Sequence, residues 1–192
     1  MKRAETATGT TERRGNNARR RIVEAAVALF GEQGVECTSL QQIAQHVGMT
    51  KAALFYYFKS RDTLLTTIVA EFVNDVRPVV RRSQEVPPEL RPRAALFSMV
   101  PFCVEHRQVI SALFHSRSLP ETPETAELRS LTDTSARILS PDDGPAASTA
   151  PGWILLYGIV GLCCDTNSGL TSAELQESIW DAIRGLQRFV QE

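Results

Sequence analysis

Residues 39–61 read SLQQIAQHVGMTKAALFYYFKSR, and this stretch decides the fold of the amino-terminal part of the chain. Ser39 is a favourable helix N-cap, and Gln42, three residues later, completes a capping box. Gly48 is placed to end that short helix, and Thr50 can cap a second helix directly after it. Two short helices joined by a tight glycine turn make a helix-turn-helix, which the stretch therefore predicts.

The second of these helices, predicted over residues 51–58, is expected to have one packed side and one exposed side. Leu54 and Phe58 lie four residues apart and predict the packed side. Lys51 and Ala53 are left outward, where a lysine can meet a phosphate or a guanine and an alanine a thymine methyl group. The three aromatic residues between Leu54 and Phe58 are either core or part of the exposed side. Since a helix cannot bury three consecutive positions on one face, the sequence favours a DNA-recognition helix.

A first helix is predicted from about Ala18, because apolar residues recur at helical spacing until Gly34 can stop it. The residues on this apolar face are Ile22, Ala25, Ala26, Leu29 and Phe30. Residues 1–17 are polar, resemble no signal peptide and are predicted to form a flexible tail. Residues 18–60 are thus predicted to be a three-helix DNA-binding domain.

Positive charge is concentrated at the amino-terminal end of the chain. Residues 1–61 hold 10 of the 21 Lys and Arg residues and 5 of the 22 Asp and Glu residues, so the remainder carries an excess of acid. A basic end on an acidic body indicates a polyanionic partner for that end alone. The arginines that lead into the first helix either contact phosphates or form a solvated arm. They are Arg13, Arg14, Arg19, Arg20 and Arg21.

Residues 61–192 show almost no strand signal and are predicted to be helical. Ser60 can cap a long helix that Pro78 kinks or ends and that joins the basic head to the acidic body. The stretch 140–151 is rich in Pro, Asp, Ala and Ser and predicts a linker. Further helical patterns cover 96–104, 109–114, 123–139, 152–164 and 173–190.

The composition excludes several functional classes. Hydrophobic residues make up 43% of the 192 residues and charged residues 22%, as in soluble globular proteins. The longest apolar run, near Trp153 to Cys164, is too short to cross a bilayer, so no membrane partner is expected. Four cysteines without an export signal predict a reducing cytoplasm. Motifs for nucleotide, dinucleotide, zinc-protease or serine-hydrolase chemistry are missing, so we expect no enzyme, cofactor or metal.

Some residues of the body could form a ligand site. Large apolar residues and a few polar ones are predicted to line a pocket for a small, mainly apolar molecule, although ordinary core packing is the alternative for each of them. They are Met99, Cys103, His106, Phe114, Trp153 and Tyr157. Cys103 and His106 also suggest a metal or thiol-redox sensor, but buried cysteines are usually small apolar residues.

The last two predicted helices suggest a dimer interface. The first is apolar nearly all round and the second has one apolar stripe, so two copies of the pair could pack as a four-helix bundle. Glycine destabilises an apolar helix, and close packing of another helix against it can offset that cost. The predicted interface residues are Gly158, Gly161, Ile179, Ile183 and Leu186.

Part of the amino-terminal region resembles the tetracycline-repressor (TetR) family of bacterial regulators. The resemblance covers about residues 19–65. It rests on Arg21-Ile22-Val23, Ala26, Leu29-Phe30, Gly34, Ser39-Leu40, Ile43-Ala44, Val47-Gly48-Met49-Thr50-Lys51, Leu54-Phe55-Tyr56-Tyr57-Phe58 and Lys59-Ser60-Arg61. It implies an all-α fold with an amino-terminal helix-turn-helix domain and a carboxy-terminal ligand-binding and dimerisation domain over 61–192. It also implies a homodimer on a near-palindromic double-stranded DNA operator, acting as a repressor that a small-molecule effector releases.

The residues expected to contact DNA are Arg21, Ser39, Gln41, Thr50, Lys51, Ala53, Phe55, Tyr56, Tyr57 and Arg61. Among them, the resemblance assigns Gln41, Lys51, Ala53, Phe55, Tyr57 and Arg61. Phe55, Tyr57 and Arg61 stand where the family usually has a Tyr, a His and a Lys. Because Phe55 lacks a hydroxyl, Tyr56 or Tyr57 is expected to supply that phosphate contact. The effector signal is expected to travel through the helix from Arg61 to Val76. The rival hypothesis is a helical small-molecule-binding protein or enzyme without a DNA function.

Overall fold

The computed structural model describes residues 5–140, 149–165 and 168–191, and within these ranges the chain is helical without any strand. The predicted all-α class is confirmed. The α-helices are α1 Glu5–Gln33, α2 Leu40–His46, α3 Lys51–Tyr57, α4 Arg61–Gln84, α5 Arg91–Glu105, α6 Arg107–Phe114, α7 Pro123–Leu139, α8 Ala150–Cys164 and α9 Ser172–Gln191. A 3₁₀ turn, Pro88–Leu90, precedes α5.

Local capping shapes the helix-turn-helix as the sequence predicts. Ser39 Oγ accepts a hydrogen bond from Gln42 N at 3.2 Å, and Ser39 N donates to Gln42 Oε1 at 2.8 Å. Thr50 Oγ1 accepts from Ala53 N at 3.1 Å and starts α3 in the same way. Gly48 has φ +71°, a left-handed conformation that favours glycine, and it turns the chain between α2 and α3.

A single apolar core holds α1, α2 and α3 together and extends into the first two turns of α4. Its buried side chains include Ile22, Ala26, Phe30, Ile43, Ala44, Leu54, Phe58, Leu64, Leu65 and Ile68. Ala112 of α6 is also buried in this core. The head, α1–α3, is therefore packed against both α4 and α6 of the body.

The long helix α4 passes through Pro78 and ends only at Gln84, so the possibility that Pro78 ends it is wrong. A proline inside a helix leaves the carbonyl four residues earlier without its donor. Pro78 is exposed. Because the residue lies on the solvent side, water can satisfy that carbonyl, and the helix continues.

The body, α4–α9, contains two further apolar clusters. One joins α5, α8 and α9 around Val100, Ile159 and Ile179, and the other joins α5, α7 and α8 around Met99 and Leu156. Helices α7 and α8 approach so closely at Gly152 that a Cβ there would overlap the carbonyl oxygen of Ala136. Only glycine fits at this crossing.

The start of α1 differs from the sequence-based expectation. The first helix begins at Glu5 rather than near Ala18, so the assignment of residues 1–17 to a tail is wrong for residues 5–17. Residues 1–4 lie outside the described residues. Apolar periodicity reveals only the part of a helix that packs, and residues 5–17 are polar and rich in Thr, Gly and Asn, so neither their pattern nor their propensity signals a helix.

The linker predicted at 140–151 falls mostly on residues 141–148, which lie outside the described residues. The part of the chain that the structure describes has no helix long and apolar enough to cross a membrane.

Candidate DNA interface and ligand cavity

Helix α3 has the two-sided character expected of a recognition helix. Leu54 and Phe58 are fully buried, whereas Lys51 and Ala53 are exposed and Tyr56 is 77% exposed. A cation, a methyl group and a phenol hydroxyl of α3 are therefore all open to solvent.

The remaining aromatic residues of α3 are partly buried. The Lys51 ammonium lies 5.6 Å from the centroid of the Phe55 ring, which holds it beside the helix. Tyr57 packs against the head core and meets Tyr56 edge to face at 5.3 Å. Tyr56 is therefore better placed than Tyr57 to reach a phosphate.

Among the polar residues of α2 and the turn after it, some side chains are exposed and others are held by hydrogen bonds within the chain. Gln41 is exposed. Gln42 engages the Ser39 hydroxyl both as acceptor and as donor. The hydroxyl accepts from Gln42 N and donates to Gln42 Oε1 at 2.8 Å. Thr50 Oγ1 accepts from Ala53 N and keeps its own hydrogen available for a donor contact.

Two arginines predicted to contact DNA bind backbone carbonyls inside the chain. Arg21 donates from Nη2 to Val47 O at 2.9 Å and so fixes the end of α2 to α1. Arg61 donates from Nη1 to Val35 O at 3.0 Å and to Glu36 O at 3.2 Å. The structure thus gives both side chains a supporting role, and their contact with DNA stays a prediction.

Some arginines of the basic run in α1 also form contacts within the chain. Arg19 donates to Thr67 Oγ1 at 3.1 Å, and its guanidinium lies 5.1 Å from the Phe58 ring centroid. Arg20 forms an exposed ion pair with Glu24 at 3.4 Å. These contacts tie α1 to α4 or to itself. The side chains of Arg13 and Arg14 lie outside the described residues.

A cavity of about 490 Å³ lies in the body between α4, α5, α6, α7 and α8. Five of the six residues predicted to bind a ligand line it, namely Met99, Cys103, Phe114, Trp153 and Tyr157. Trp153 and Tyr157 are stacked at 5.3 Å, and Phe72 and Phe102 form a second aromatic pair at 5.6 Å. The wall is thus mainly aromatic and aliphatic.

His106 is not among the residues that line this cavity, which corrects its assignment to the ligand site. Its ring stacks on Phe102 at 4.1 Å, and Nδ1 lies 3.0 Å from Phe102 O. Its Nε2 lies 3.4 Å from Asp75 Oδ2 of α4. His106 therefore sits behind the cavity wall, between Phe102 and Asp75 of α4.

The polar part of the cavity wall comes from α7, which the sequence reasoning missed. Arg129, Thr132, Asp133 and Ser135 all line it. Arg129 donates to both carboxylate oxygens of Glu121, at 2.9 and 3.2 Å, so its charge is balanced. The amphipathic pattern of 123–139 was visible, but it did not reveal that the polar edge of this helix faces a cavity.

The cysteines of the body are poor candidates for a sensor. Burial raises the pKa of the Cys103 thiol to about 12 and that of Cys163 to about 11, and burial also raises the pKa of Cys164. Since the thiolate is the reactive form, these thiols are protonated and unreactive at neutral pH. Within the described ranges, no three His, Cys, Asp or Glu residues are grouped so that they could hold a metal ion.

The predicted dimer residues fall into two groups. Gly158 and Gly161 lie on the open side of α8, where an added Cβ would meet nothing within 4 Å. Ile179 and Ile183 are only 1% and 7% exposed and belong to the core of the chain itself, so their assignment to an intermolecular surface is wrong. An apolar stripe shows that a helix packs but does not show against which partner. The Leu186 side chain lies outside the described residues.

An apolar stripe that the sequence reasoning did not isolate runs along the open side of α8. Ile154 is 69% exposed, Tyr157 53% and Leu162 40%. With Gly158 and Gly161 these residues recur at helical spacing on one face. This helix is apolar all round, and the sequence alone could not tell which of its faces meets the body.

Comparisons with known proteins were made on sequence and on structure. Residues 22–68 match the family model described as bacterial regulatory proteins, tetR family. AcrR of Shigella flexneri, an HTH-type transcriptional regulator, is 36% identical over 58 residues, which are 30% of this chain and 27% of that protein. YuxN of Bacillus subtilis, an uncharacterized HTH-type transcriptional regulator, is 29% identical over 108 residues, or 55% of this chain and 37% of that protein. The chain thus spans well under half of the length of these curated relatives.

Solved structures match over more of the chain. PfmR of Thermus thermophilus, a TetR family transcriptional regulator, has a TM-score of 0.65 and 22% identity over 85% of this chain and 96% of that chain. A TerR/AcrR family transcriptional regulator of Aquifex aeolicus has a TM-score of 0.62 and 18% identity over 88% of this chain and 98% of that chain. AibR, solved in complex with isovaleryl coenzyme A and operator DNA, has a TM-score of 0.59 at 21% identity, covering 84% of this chain and 95% of that one. At these identities the likeness shows the fold.

Proposed function

We infer that this chain, whose residues 22–68 match the model of the tetR family of bacterial regulators, is a homodimeric repressor that a small, mainly apolar effector releases from its operator. The observation that carries the proposal is the open face of α3 above a closed core. Lys51, Ala53 and Tyr56 are exposed there, while Leu54 and Phe58 fix the helix from below.

DNA binding follows from that face and from the charge of the head. A lysine and a phenol can bind phosphates, and an alanine can contact a thymine methyl group in the major groove. The contacts of Arg19 and Arg21 within the head keep α1 fixed against α2 and α4. A rigid support of this kind holds a recognition helix at one angle to the groove.

Dimerisation is supported by the open apolar side of α8. Ile154, Tyr157 and Leu162 would be removed from water if a second copy packed there, and Gly158 and Gly161 would permit close approach of a helix. A two-fold dimer presents two recognition helices, which read half-sites about 34–36 Å apart. A near-palindromic operator is the corresponding DNA partner.

Effector binding is supported by the cavity. Its aromatic and aliphatic wall suits an apolar molecule, and the α7 hydroxyls of Thr132 and Ser135 supply orienting polar groups. Such a ligand releases DNA only if it binds the DNA-incompetent dimer more tightly than the competent one. The protonated thiols give the metal- or redox-sensing alternative no comparable support.

The experiment begins by mapping where the full chain binds on the genome of its source. Binding to the strongest site is then measured over a series of salt concentrations for wild type and Lys51→Ala. If Lys51 contacts a phosphate, its loss weakens binding and flattens the dependence of log K on log salt by about 0.9.

Arg81→Ala is the matched control, because it removes one exposed positive charge from the far end of α4. It should leave operator affinity nearly unchanged. Equal affinities of wild type and Lys51→Ala at every salt concentration would show that α3 does not read DNA as proposed.

A further inference from the structure

The 113–122 segment, which comprises the end of α6 and the loop that leads to α7, contacts both the ligand cavity and the head. Leu113 and Leu119 line the cavity, and both also pack against the buried core of α1–α3. In the part of the chain that the structure describes, these two are the side chains shared by the cavity wall and the head core. Displacement of either one by a ligand would press directly on the head.

A hydrogen bond next to Leu119 holds the same segment to the head. Arg117 N donates to Glu36 Oε1 at 2.9 Å, across 81 residues of sequence. Glu36 lies in the loop between α1 and α2, just before the Ser39 cap of α2. Arg61 Nη1, at the first residue of α4, donates to the carbonyls of Val35 and Glu36 in that loop.

These contacts join three elements at one point, namely the 113–122 segment, the α1–α2 loop and the start of α4. The hydrogen bond from Arg117 N is also the main reason that the pKa of Glu36 lies below its ordinary value, so this contact favours the charged carboxylate. The Coulomb attraction of Arg117 and Arg61 acts in the same direction.

We propose that residues 113–122 transmit ligand occupancy of the cavity to the helix-turn-helix through Leu119 and the Glu36 carboxylate. Glu36 is then a positioning residue, because it does not line the cavity and acts through the loop that leads into α2. The inference rests on the proposed function, since it requires the cavity to take a ligand.

The physical basis is the position of Leu119 between the cavity and the packed core of the head. A packed interior does not yield locally, so a side chain that is pushed from the cavity side must shift its neighbours on the other side. Leu119 is two residues from Arg117 and thus adjacent to the hydrogen bond to Glu36. The expected route through α4 is longer, because its cavity-lining residues Phe72 and Val76 lie more than two turns beyond Arg61.

The test uses the full chain and N-phenyl-1-naphthylamine, a neutral apolar probe. Trp180→Phe leaves Trp153, which lines the cavity, as the one tryptophan, so its fluorescence reports occupancy. Hydrogen exchange of residues 34–39 is followed by mass spectrometry with and without saturating probe. We expect this exchange to change about fivefold, at the lower end of ordinary coupling between two sites.

The variants test separately the side of the 113–122 segment that faces the cavity and the side that faces the head. Glu36→Ala and Leu119→Ala should abolish the change at residues 34–39 while Trp153 still reports binding. Glu36→Gln keeps an acceptor oxygen and should preserve much of the change. Leu128→Ala, which alters the cavity wall alone, and Val109→Ala, which alters the head packing alone, should both preserve it.

Two outcomes overturn the inference, and they are distinguishable. If Trp153 responds but the exchange of residues 34–39 does not change, or changes equally in Glu36→Ala, then this route is wrong and the cavity proposal stands. If Trp153 does not respond, the inference falls together with the proposed ligand site. Because Glu36 is exposed, Glu36→Ala should fold even if Leu119→Ala does not.

Discussion

The head and the body of this molecule are both all-helical, but they hold their functional surfaces in different ways. In the head, α1–α3, local signals mark the starts of α2 and α3 and the glycine turn between them, and the exposed face of α3 stands on fully buried side chains such as Leu54 and Phe58. In the body, α4–α9, the cavity and the open side of α8 arise only where several helices meet. Recognition chemistry is thus set locally, whereas ligand and partner surfaces depend on tertiary packing.

The largest expected effect tests the closed core of the head. Leu54→Ala removes a fully buried side chain and should destabilise the fold by about 2–5 kcal/mol, as large-to-small core substitutions do. Tyr56→Ala, two residues along the same helix but exposed, should change stability by less than about 0.5 kcal/mol. Chemical unfolding of both variants measures the contrast. Similar losses for the two would mean that α3 lacks the two-sided packing described above.

The second effect tests the open side of α8. Ile154→Glu places a charge in the proposed dimer interface and should weaken association by about 2 kcal/mol or more, the cost typical of a hot-spot residue. The free energy of unfolding of the monomer should hardly change, because Ile154 is 69% exposed. Sedimentation over a range of concentrations gives the dissociation constant. Ile183→Glu is the comparison, since a charge at that buried position should unfold the chain instead.

If sedimentation finds wild type monomeric at micromolar concentrations, the dimer proposal fails whatever the variants do. If Ile154→Glu dimerises as strongly as wild type, then the interface lies elsewhere on the body.

The third effect compares two glycines of the same helix. Gly152→Ala forces a Cβ into the backbone of α7 and should cost about 1–3 kcal/mol or more, as overpacking does. Gly158→Ala meets no neighbour and should stabilise the monomer by about 0.5–1 kcal/mol, because alanine favours the helix. Thermal unfolding at low protein concentration, where monomers dominate, is the measurement. The same sign for both substitutions would contradict the close crossing of α7 and α8.

The sequence predicted the head well because its signals act over one or two turns. The capping box at Ser39, the Thr50 cap and the glycine turn are all local, and the structure confirms each of them. The inward placement of Leu54 and Phe58 follows from helical spacing alone. These are the features for which neighbouring residues contain the necessary information.

The errors concern contacts between distant parts of the chain. Arg21 and Arg61 bind backbone carbonyls 26 residues away, which spacing cannot reveal. Ile179 and Ile183 form a proper amphipathic stripe, but its partner is the body itself. His106 faces Asp75 of α4 rather than the cavity. For Ile179, Ile183 and His106 the residue type was read correctly and the partner was not, because tertiary packing sets the partner, whereas the DNA contacts of Arg21 and Arg61 stay predictions.

The smallest expected effect concerns the contact that links head and body, between Glu36 and Arg117 N. The pKa of Glu36 is lowered from its ordinary 4.5 mainly by the hydrogen bond from Arg117 N, with the cationic side chains of Arg117 and Arg61 acting in the same direction. A lowered pKa in the folded state means that the charged carboxylate is favoured by folding. The contact should therefore be complete at neutral pH and should be lost only as the pH falls below 4.5.

The measurement is an NMR titration of the backbone amide of Arg117 in the full chain, within the pH range where the protein stays folded. A shift of this amide with a midpoint below 4.5 is expected for wild type. The titration should disappear in Glu36→Gln, which has no proton to gain in this range. A midpoint at or above 4.5, or a titration that persists in Glu36→Gln, would show that the carboxylate does not hold the 113–122 segment to the head.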